Sequence, residues 1–423
     1  MSYKTILLIL LFLISQNISW GQAKEDSLYK NLELEIGFII EHAILHEAFP
    51  GCVVYASQAG KPILFKSYGF HTYDSLIPVL DSDIYDIASI TKVAASTLAL
   101  MKLYELGKFE LDEPINKYIQ HLGMSKVGEV TFRQALAHQG GMQSWIKFYE
   151  KISRKNGHYK RNTIKSAFSS DYPYQLSEGM FLYKDFDQRI KKYIRRSEVN
   201  LKQGYVYSGL FFYMVPELVK TLSGKDFPSF LNDHFYTPMA LSTIGFNPLD
   251  KFDPSMIVPT EVDTFFRNEN IHGKVHDEGA ILMKGISGNA GLFSNASDLG
   301  RLWQMFLNDG TLDSIIYLKP STIDLFTAYQ YANLDNRRGL GFDKPLLEYD
   351  SIKSSIAKSA STESYGHTGF TGTLVWADPQ NDLLFIFLSN RVYPNRGNKS
   401  IYELNIRPEI HQKIYDYLDH IQN

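Results

Sequence analysis

A serine followed three residues later by a lysine is the first pattern in this chain that could do chemistry. A serine hydroxyl is a poor nucleophile until a base takes its proton, and on a helix the lysine of Ser-x-x-Lys lies one turn away on the same face. The pattern occurs four times, at Ser27 and Lys30, Ser89 and Lys92, Ser144 and Lys147, and Ser355 and Lys358. The surrounding sequence must therefore decide which pair could act.

Ser89 stands at the start of a long apolar segment, Asp86–Gly107, which predicts a buried helix that ends at the glycine. The amides and dipole at such a helix start favour negative charge on a serine oxygen and on a developing oxyanion. A lysine buried there can act as the base for the serine. The other three serines have less suitable surroundings. Ser27 follows the N-terminal apolar run, Ser144 follows a Gly-Gly turn, and Ser355 lies in a Ser/Lys-rich loop. Ser89 and Lys92 are therefore the favoured pair.

Two later segments could complete a catalytic site. Tyr205-Val-Tyr207-Ser-Gly209 opens an apolar segment and offers a phenol, for which Tyr207 is preferred over Tyr205. The glycine-rich segment His367–Gly372 precedes a predicted strand. Glycines there would let a substrate backbone approach, and a free amide would help to form an oxyanion hole.

These motifs resemble, in type and order, those of serine beta-lactamases and penicillin-binding proteins, particularly the class C-like branch with its esterases and D-peptidases. The resemblance spans roughly Leu34 to Leu418, and its motifs are Ser89-Ile-Thr-Lys92, Tyr207-Ser-Gly209 and His367-Thr-Gly369. Five further segments resemble the serine-hydrolase module that some bacterial cell-wall enzymes carry behind a family 3 glycosidase. They are Val206–Leu210, Ile271–Gly279, Ser287–Phe293, Arg337–Asp343 and Leu388–Tyr393.

The resemblance implies a role for each motif. Ser89 would be the acylated nucleophile, Lys92 its base, and Tyr207 the group that passes a proton to the leaving group and activates the deacylating water. The amides of Ser89 and Phe370 would form the oxyanion hole. The substrate strand would comprise His367, Thr368, Gly369 and Phe370. The resemblance implies no cofactor.

Two departures from the family pattern bear on the substrate. The second motif often ends in Asn or Asp but here ends in Gly209, and the third begins with Lys in beta-lactamases but here with His367. A histidine is expected to titrate near neutral pH and to hold a substrate carboxylate less reliably than a lysine. The expected substrate is therefore an ester or a D-amino-acid amide or peptide, such as a peptidoglycan-derived one. The alternatives are a beta-lactamase and a catalytically weak cell-wall binding or sensor protein.

The chain pattern predicts an α/β fold, and the resemblance implies that it is of the beta-lactamase/transpeptidase type. Its antiparallel sheet would be built from both chain ends and flanked by helices, with a mostly helical subdomain inserted over about residues 121–267. The predicted strands are Cys52–Ala56, Pro62–Lys66, Thr373–Ala377 and Leu383–Ser389, and the predicted terminal helices are Ser27–Glu47 and Arg407–Gln422.

The N-terminus reads as an export signal. Lys4 precedes the apolar run Ile6–Ile14, and small residues near Gly21 suit a signal peptidase. The run is about half the roughly 20 residues that a spanning helix needs, so a membrane anchor is the less favoured alternative. We therefore predict a signal peptide over residues 1–21, a hydrolase domain over 22–423, and a periplasmic or secreted protein that is not an integral membrane protein after cleavage.

The charge distribution and the spacing of histidine and acidic residues indicate which macromolecules and metal ions the protein is expected to bind. The formal net charge of −3 gives no reason to expect nucleic-acid binding. Residues 147–202 hold 14 Lys and Arg against 6 Asp and Glu, either as a solvated surface or as a basic rim that associates with peptidoglycan. His42 and His46, and likewise the run His276–Glu278, have the spacing of metal ligands. For the two histidines a position on a helix face is preferred, and for the run a set of hydrogen bonds that fixes a loop is preferred. No metal is predicted, and Cys52 is interpreted as a core residue.

Overall fold

A five-stranded antiparallel sheet, built from both ends of the chain, is the framework of the protein. The structure, a computed structural model, describes residues 27–200, 202 and 204–422. The predicted signal peptide lies outside these residues. Within them, no helix is both long and apolar enough to cross a membrane.

The strands and helices follow in chain order. The strands are β1 (Gly51–Gln58), β2 (Lys61–Gly69), β3 (Tyr85–Asp86), β4 (Ile164–Lys165), β5 (Tyr174–Ser177), β6 (Met180–Leu182), β7 (Gly245–Phe246), β8 (Glu261–Asp263), β9 (Glu269–Ile271), β10 (Leu292–Ser294), β11 (Thr311–Leu312), β12 (Ile315–Ile316), β13 (Tyr365–Thr368), β14 (Leu374–Asp378) and β15 (Leu383–Ser389). The α-helices are α1 (27–45), α2 (Leu98–Glu105), α3 (Phe132–Leu136), α4 (Asp187–Arg195), α5 (Val215–Ser223), α6 (Phe227–Leu231), α7 (Glu278–Ile281), α8 (Ala296–Leu307), α9 (Pro320–Thr327), α10 (Ser400–Glu403) and α11 (Ile406–Gln422).

The main sheet has the strand order β13-β14-β15-β1-β2. Every neighbouring pair is antiparallel, and Cys52 of the first strand pairs with Ser389 of the last. Strands close to the N-terminus therefore lie beside strands close to the C-terminus. The predicted fold class is confirmed.

Both faces of the main sheet are covered at its centre, which explains why β15 is apolar from Leu383 to Leu388. Phe385 and Phe387 of β15 pack in one core cluster with residues of α1 and α11. Their neighbour Ile386 points to the opposite face, into the larger core that contains residues of α2 and α8. Successive side chains of a strand alternate between faces, so a strand buried on both sides shows no polar positions. Cys52 is buried in the first cluster, where burial raises the pKa of its thiol. Both observations agree with its interpretation as a core residue.

The segment that carries Ser89 is less regular than the predicted single helix over Asp86–Gly107. It begins with strand β3, continues through a 3₁₀ turn at Ala88–Ile90 and a π-helical turn at Lys92–Thr97, and becomes α-helical only at α2. The hydrophobic pattern correctly indicates burial, because Ile90, Val93 and Leu98 are fully buried. A pattern of burial does not distinguish these three helix types, and π-helical turns are often found at functional sites.

Residues 121–267, the predicted helical subdomain, contain α3 to α6 together with the three-stranded sheet β4-β6-β5. These strands are two to four residues long and too short to give a periodic signal in the sequence. The boundaries of the subdomain stay a prediction.

Candidate active site

Ser89 and Lys92 face each other at the start of the helical segment. The Nζ atom of Lys92 donates to Ser89 Oγ at 2.9 Å and to the backbone oxygen of Asn289 at 2.8 Å. The lysine is 2% exposed. A neutral amine in the same place would still donate to Asn289 and would accept a hydrogen bond from the serine hydroxyl. The contact is therefore the one that proton removal from Ser89 requires.

Asp86 anchors the turn before the nucleophile. Its buried carboxylate accepts hydrogen bonds from the backbone amide of Ala88 at 2.8 Å and from that of His276 at 2.7 Å. Burial raises the pKa of Asp86, although both amides oppose that effect. Ala88 has a φ of +46°, in the left-handed region that side chains other than glycine rarely adopt. Such a conformation persists only where the surrounding structure stabilises it, and here the hydrogen bond from the Ala88 amide to Asp86 does so.

The third motif lies directly against this turn. A Cβ added to Gly369 would stand 2.6 Å from the Ile87 carbonyl oxygen, so only glycine fits there. Thr371 Oγ1 donates to the Asp86 carbonyl oxygen at 2.7 Å. Ser89 and Phe370 consequently line the same cavity, as the predicted oxyanion hole requires. Thr368 ends β13 beside them.

A buried histidine, His138, positions the second motif, Tyr207-Ser-Gly209. His138 is buried, and its Nδ1 accepts the backbone N–H of Ser208 at 3.1 Å. Its ring centroid is 4.6 Å from that of Tyr207. Burial lowers the pKa of His138 well below its ordinary value, so the ring is neutral. His138 is therefore a buried, hydrogen-bonded turn residue that holds the second motif in place.

Tyr207 and Tyr205 have different surroundings. The ring of Tyr207 lines the cavity, and Lys92 Nζ is 5.3 Å from its centroid. The hydroxyl of Tyr205 instead accepts a hydrogen bond from Arg338 Nε at 3.3 Å, and Tyr205 is not among the described residues that line the cavity. The geometry therefore agrees with the preference for Tyr207, whose catalytic role stays a prediction.

The cavity has a volume of about 470 Å³, within the range of small-molecule sites. Its walls bring together side chains from segments that are far apart in the sequence. The described residues that line it are Asp86, Ala88, Ser89, Lys92, Ser144, Trp145, Tyr207, Gly209, Leu210, Tyr213, His276, Asp277, Glu278, Asn289, Ala290, Phe370 and Arg396.

A hydrogen-bonded ion network forms one wall of the cavity. His276 Nε2 contacts Glu261 Oε2 at 2.7 Å, and Arg396 pairs with both Glu261 and, at 2.6 Å, Glu278. Asp277 caps α7 by accepting the amide of Ala280. The loop-fixing interpretation of residues 276–278 is therefore confirmed. Within the described part of the chain, no three His, Cys, Asp or Glu side chains are grouped so that they could hold a metal ion.

The network predicts acid sensitivity. Burial alone would raise the pKa of Glu261, but hydrogen bonds from His276 and Arg396 outweigh it and lower that pKa to about 2. A folded-state pKa below the unfolded value means that the carboxylate stabilises the fold at neutral pH and that this contribution disappears as pH falls from about 5 to about 2. We expect the urea midpoint of Glu261→Gln to be lower than that of wild type at pH 7 and to change less over this range.

Glu129→Gln, at an exposed position, is the control for this experiment. Urea titrations at pH 7, 5, 4 and 3 should give Glu129→Gln the pH dependence of wild type. An equally steep loss of stability in Glu261→Gln would contradict the account of the network.

His367 corrects one expectation from the sequence. The residue is 2% exposed and is not among the described residues that line the cavity. Burial, reinforced by the positive charges of Arg338 and Lys92, lowers its pKa to about 3. The expectation that it titrates near neutral pH is therefore wrong, because the ring stays neutral there. At Gly209, an added Cβ would lie 3.8 Å from the Cβ of Asn289, so the glycine leaves room in the cavity.

Several residues of the site carry no local signal in the sequence. Asp86, Asn289 and Arg396 reach it from three different segments, and nothing in their own surroundings in the chain distinguishes them. Asn289 lies in the segment Ser287–Phe293 that carried part of the family resemblance. That resemblance was the one available signal for it.

Comparisons with known proteins agree with this geometry. The family model described as "Beta-lactamase" matches residues 39–406, which is most of the chain. A "Putative D-alanyl-D-alanine carboxypeptidase" of Escherichia coli K12 is 30% identical over 328 residues, covering 73% of this chain and 69% of the relative. An "N-acetylmuramyl-L-alanine amidase" of Bacillus subtilis strain 168 is 29% identical over 373 residues, covering 81% and 77%.

Solved structures share the fold at low sequence identity. EstCE1, a hydrolase with promiscuous acyltransferase activity, superposes with a TM-score of 0.65 at 18% identity, covering 91% of this chain and 99% of that one. The "Beta-Lactamase/D-Alanine Carboxypeptidase" of Pseudomonas syringae gives 0.63 at 16%, covering 92% and 99%. Together with the family match and the contact between Ser89 and Lys92, these findings show that the chain belongs to the beta-lactamase family, as one of its serine hydrolases.

Proposed function

We propose that this serine hydrolase is exported, forms an acyl-enzyme on Ser89, and hydrolyses an ester or a D-amino-acid amide or peptide such as a peptidoglycan-derived one. The observation that carries the proposal is the 2.9 Å contact between Lys92 Nζ and Ser89 Oγ at the wall of a small-molecule cavity. A nucleophile, a base and a phenol in one cavity are the groups that acyl transfer through a covalent intermediate needs.

Acylation begins when Ser89 Oγ attacks the substrate carbonyl carbon. The new C–O bond forms as the hydroxyl proton moves to the neutral amine of Lys92, and negative charge develops on the carbonyl oxygen. The amides of Ser89 and Phe370 stabilise that charge. Tyr207 then gives its phenolic proton to the leaving alcohol or amine as the scissile bond breaks, and Lys92 can return a proton to Tyr207.

Deacylation repeats the chemistry with water as the nucleophile. A water molecule attacks the acyl carbon, and its proton passes to Tyr207 or Lys92 in the basic form. The bond to Ser89 Oγ then breaks, the oxygen regains a proton, and the acid product leaves. Each step consumes only substrate and water, so the cycle balances without a cofactor.

The charges of the cavity bear on substrate choice. Three acidic residues line it, Asp86, Asp277 and Glu278, against Lys92 and Arg396. Arg396 is already paired with two carboxylates, and His367 is neutral and buried. Among the described lining residues, therefore, no basic side chain is free to hold the carboxylate of a beta-lactam. This supports esters and D-amino-acid amides over beta-lactams, and by the same argument over peptides with a free carboxylate beside the scissile bond. The names of the curated relatives support a cell-wall peptide as the source of the amide.

Export and wall association are part of the proposal. The signal-like residues 1–21 support a periplasmic or secreted location. The basic segment 147–202 supports association with anionic wall polymers, although Lys147, Lys184 and Lys191 each pair with a nearby carboxylate. Intact mass of the protein secreted from its host would show cleavage near Gly21.

A substrate panel tests the activity. It contains p-nitrophenyl butyrate, D-alanine p-nitroanilide, a peptide ending in D-Ala-D-Ala, and nitrocefin. We expect turnover of the ester or of a D-alanyl substrate, with nitrocefin at least about tenfold slower in kcat/KM. Preferential nitrocefin hydrolysis would favour a beta-lactamase, and no turnover of any substrate would favour the binding or sensor alternative.

A further inference from the structure

A buried guanidinium lies against the ring of Tyr207. The Cζ atom of Arg338 is 5.1 Å from the centroid of that ring, and its Nε donates to the hydroxyl of Tyr205. Arg338 is 3% exposed and is not among the described residues that line the cavity. It is therefore placed to influence the site through Tyr207 rather than through contact with a substrate.

Arg338 is held in place as a permanent cation. Its Nε is 3.6 Å from Asp343 Oδ1, and Arg337 pairs with the same carboxylate at 2.8 Å. Burial would lower the pKa of Arg338, but Asp343 and the two tyrosines outweigh it and raise that pKa above its ordinary value. Its Nη1 atom is buried and has no hydrogen-bond partner among the described residues. A charge with an unused donor beside a phenol requires an explanation.

The other charged or titratable groups that face Tyr207 are Lys92, His138 and His367. Both histidine rings are neutral at neutral pH, because burial lowers the pKa of each. The Nζ atom of Lys92 is 5.3 Å from the ring centroid. In the proposed cycle Lys92 takes up and returns the serine proton, so it is not a constant cation. Of these neighbours, Arg338 is the one whose positive charge is constant.

We propose that Arg338 is a positioning residue that stabilises negative charge on Tyr207 whenever this phenol has given up its proton. In deacylation, where the basic form of Tyr207 takes the proton of the attacking water, this stabilisation extends turnover to lower pH. The inference rests on the proposed function, in which Tyr207 passes its proton to the leaving group. A cation within about 6 Å of an aromatic ring is attracted to its face, and the attraction strengthens when the ring carries a negative charge.

The pH profile of turnover separates this role from a merely structural one. An activated ester such as p-nitrophenyl butyrate acylates the enzyme readily, so its kcat reports deacylation, in which the basic form of Tyr207 takes the water proton. We expect Arg338→Met to move the acidic limb of this kcat up by about one pH unit or more, because without its cation that basic form is reached only at higher pH. At pH 7 kcat should fall about tenfold or more with little change in KM. Arg338→Lys, which retains a cation, should restore most of the profile.

Arg337→Met is the matched control, because it removes the other guanidinium partner of Asp343 and leaves the cation at Tyr207. The acidic limb of kcat for Arg337→Met should coincide with that of wild type. Arg338→Gln, which keeps a donor for Tyr205, serves as a second neutral variant if Arg338→Met does not fold. Each rate is divided by the fraction of enzyme that a fluorophosphonate labels, so that a smaller amount of folded protein is not mistaken for a lower kcat.

The outcomes distinguish the two proposals. A limb that stays in place in the neutral variants, or that moves equally in Arg337→Met, would overturn the role of Arg338 while Ser89-dependent turnover of the wild type stands. Wild-type turnover that does not depend on Ser89 would overturn the proposed function and, with it, this inference.

Discussion

Replacing Ser89 with alanine should reduce turnover of the preferred ester or D-alanyl substrate by about 10³-fold or more, because no covalent intermediate can form. The residual rate would come from substrate binding and the oxyanion hole. The side chain is small, and its Oγ contacts Lys92 at 2.9 Å, so the change removes the nucleophile and little packing. The kcat and kcat/KM values of purified wild type and variant measure the effect.

Ser144→Ala is the sharpest control for this result. Ser144 belongs to another Ser-x-x-Lys sequence and lines the same cavity, but its partner Lys147 pairs with Glu150 at 3.1 Å on the surface. We expect Ser144→Ala to keep kcat within a few-fold of wild type. Equal losses in both variants, or loss only in Ser144→Ala, would show that the nucleophile has been assigned incorrectly.

Replacing Lys92 with methionine should have the second-largest effect. Methionine keeps much of the volume but can neither take the serine proton nor donate to the Asn289 oxygen. General acid–base catalysis is typically worth about 10²–10⁴-fold, and we expect kcat/KM to fall by that amount. Labelling of Ser89 by a fluorophosphonate should slow in parallel, because it uses the same base.

The loss of the hydrogen bond to Asn289 leaves a buried acceptor without a partner, which costs about 1–3 kcal/mol of stability. Thermal melts therefore accompany the kinetics, and assays run well below the melting temperature of the variant. Lys147→Met is the matched control and should leave the labelling rate unchanged. If Lys92→Met were labelled as fast as wild type, Lys92 would not be the base.

The sequence predicts local geometry well where a few neighbouring residues determine it. The contact between Ser89 and Lys92 follows from a spacing of three residues in a helical segment, and it survives the change from an α-helix to a 3₁₀ turn. Likewise β15 is recognisable because burial on both faces makes its first six positions, Leu383 to Leu388, apolar. The pairing of β1 with β15 could be inferred only because strands occur at both ends and a family resemblance connects them.

The environment of the site depends instead on residues that are distant in sequence. The neutral state of His367 results from burial and from the charges of Arg338 and Lys92, neither of which lies near it in the chain. The buried carboxylate of Asp86, which holds the nucleophile turn, also accepts the backbone amide of His276 from a distant segment. No local pattern encodes such contacts, so the sequence around His367 predicts an incorrect titration range for this residue.

The central claim, an acyl-enzyme on Ser89, is tested most directly by intact-mass spectrometry with peptide mapping. Wild type and Ser89→Ala are exposed to a fluorophosphonate and, with acid quenching, to the preferred ester. We expect one adduct per wild-type molecule, on the peptide that contains Ser89, and no adduct on Ser89→Ala. An adduct that persists in Ser89→Ala, or that maps to Ser144 or elsewhere, would contradict the account.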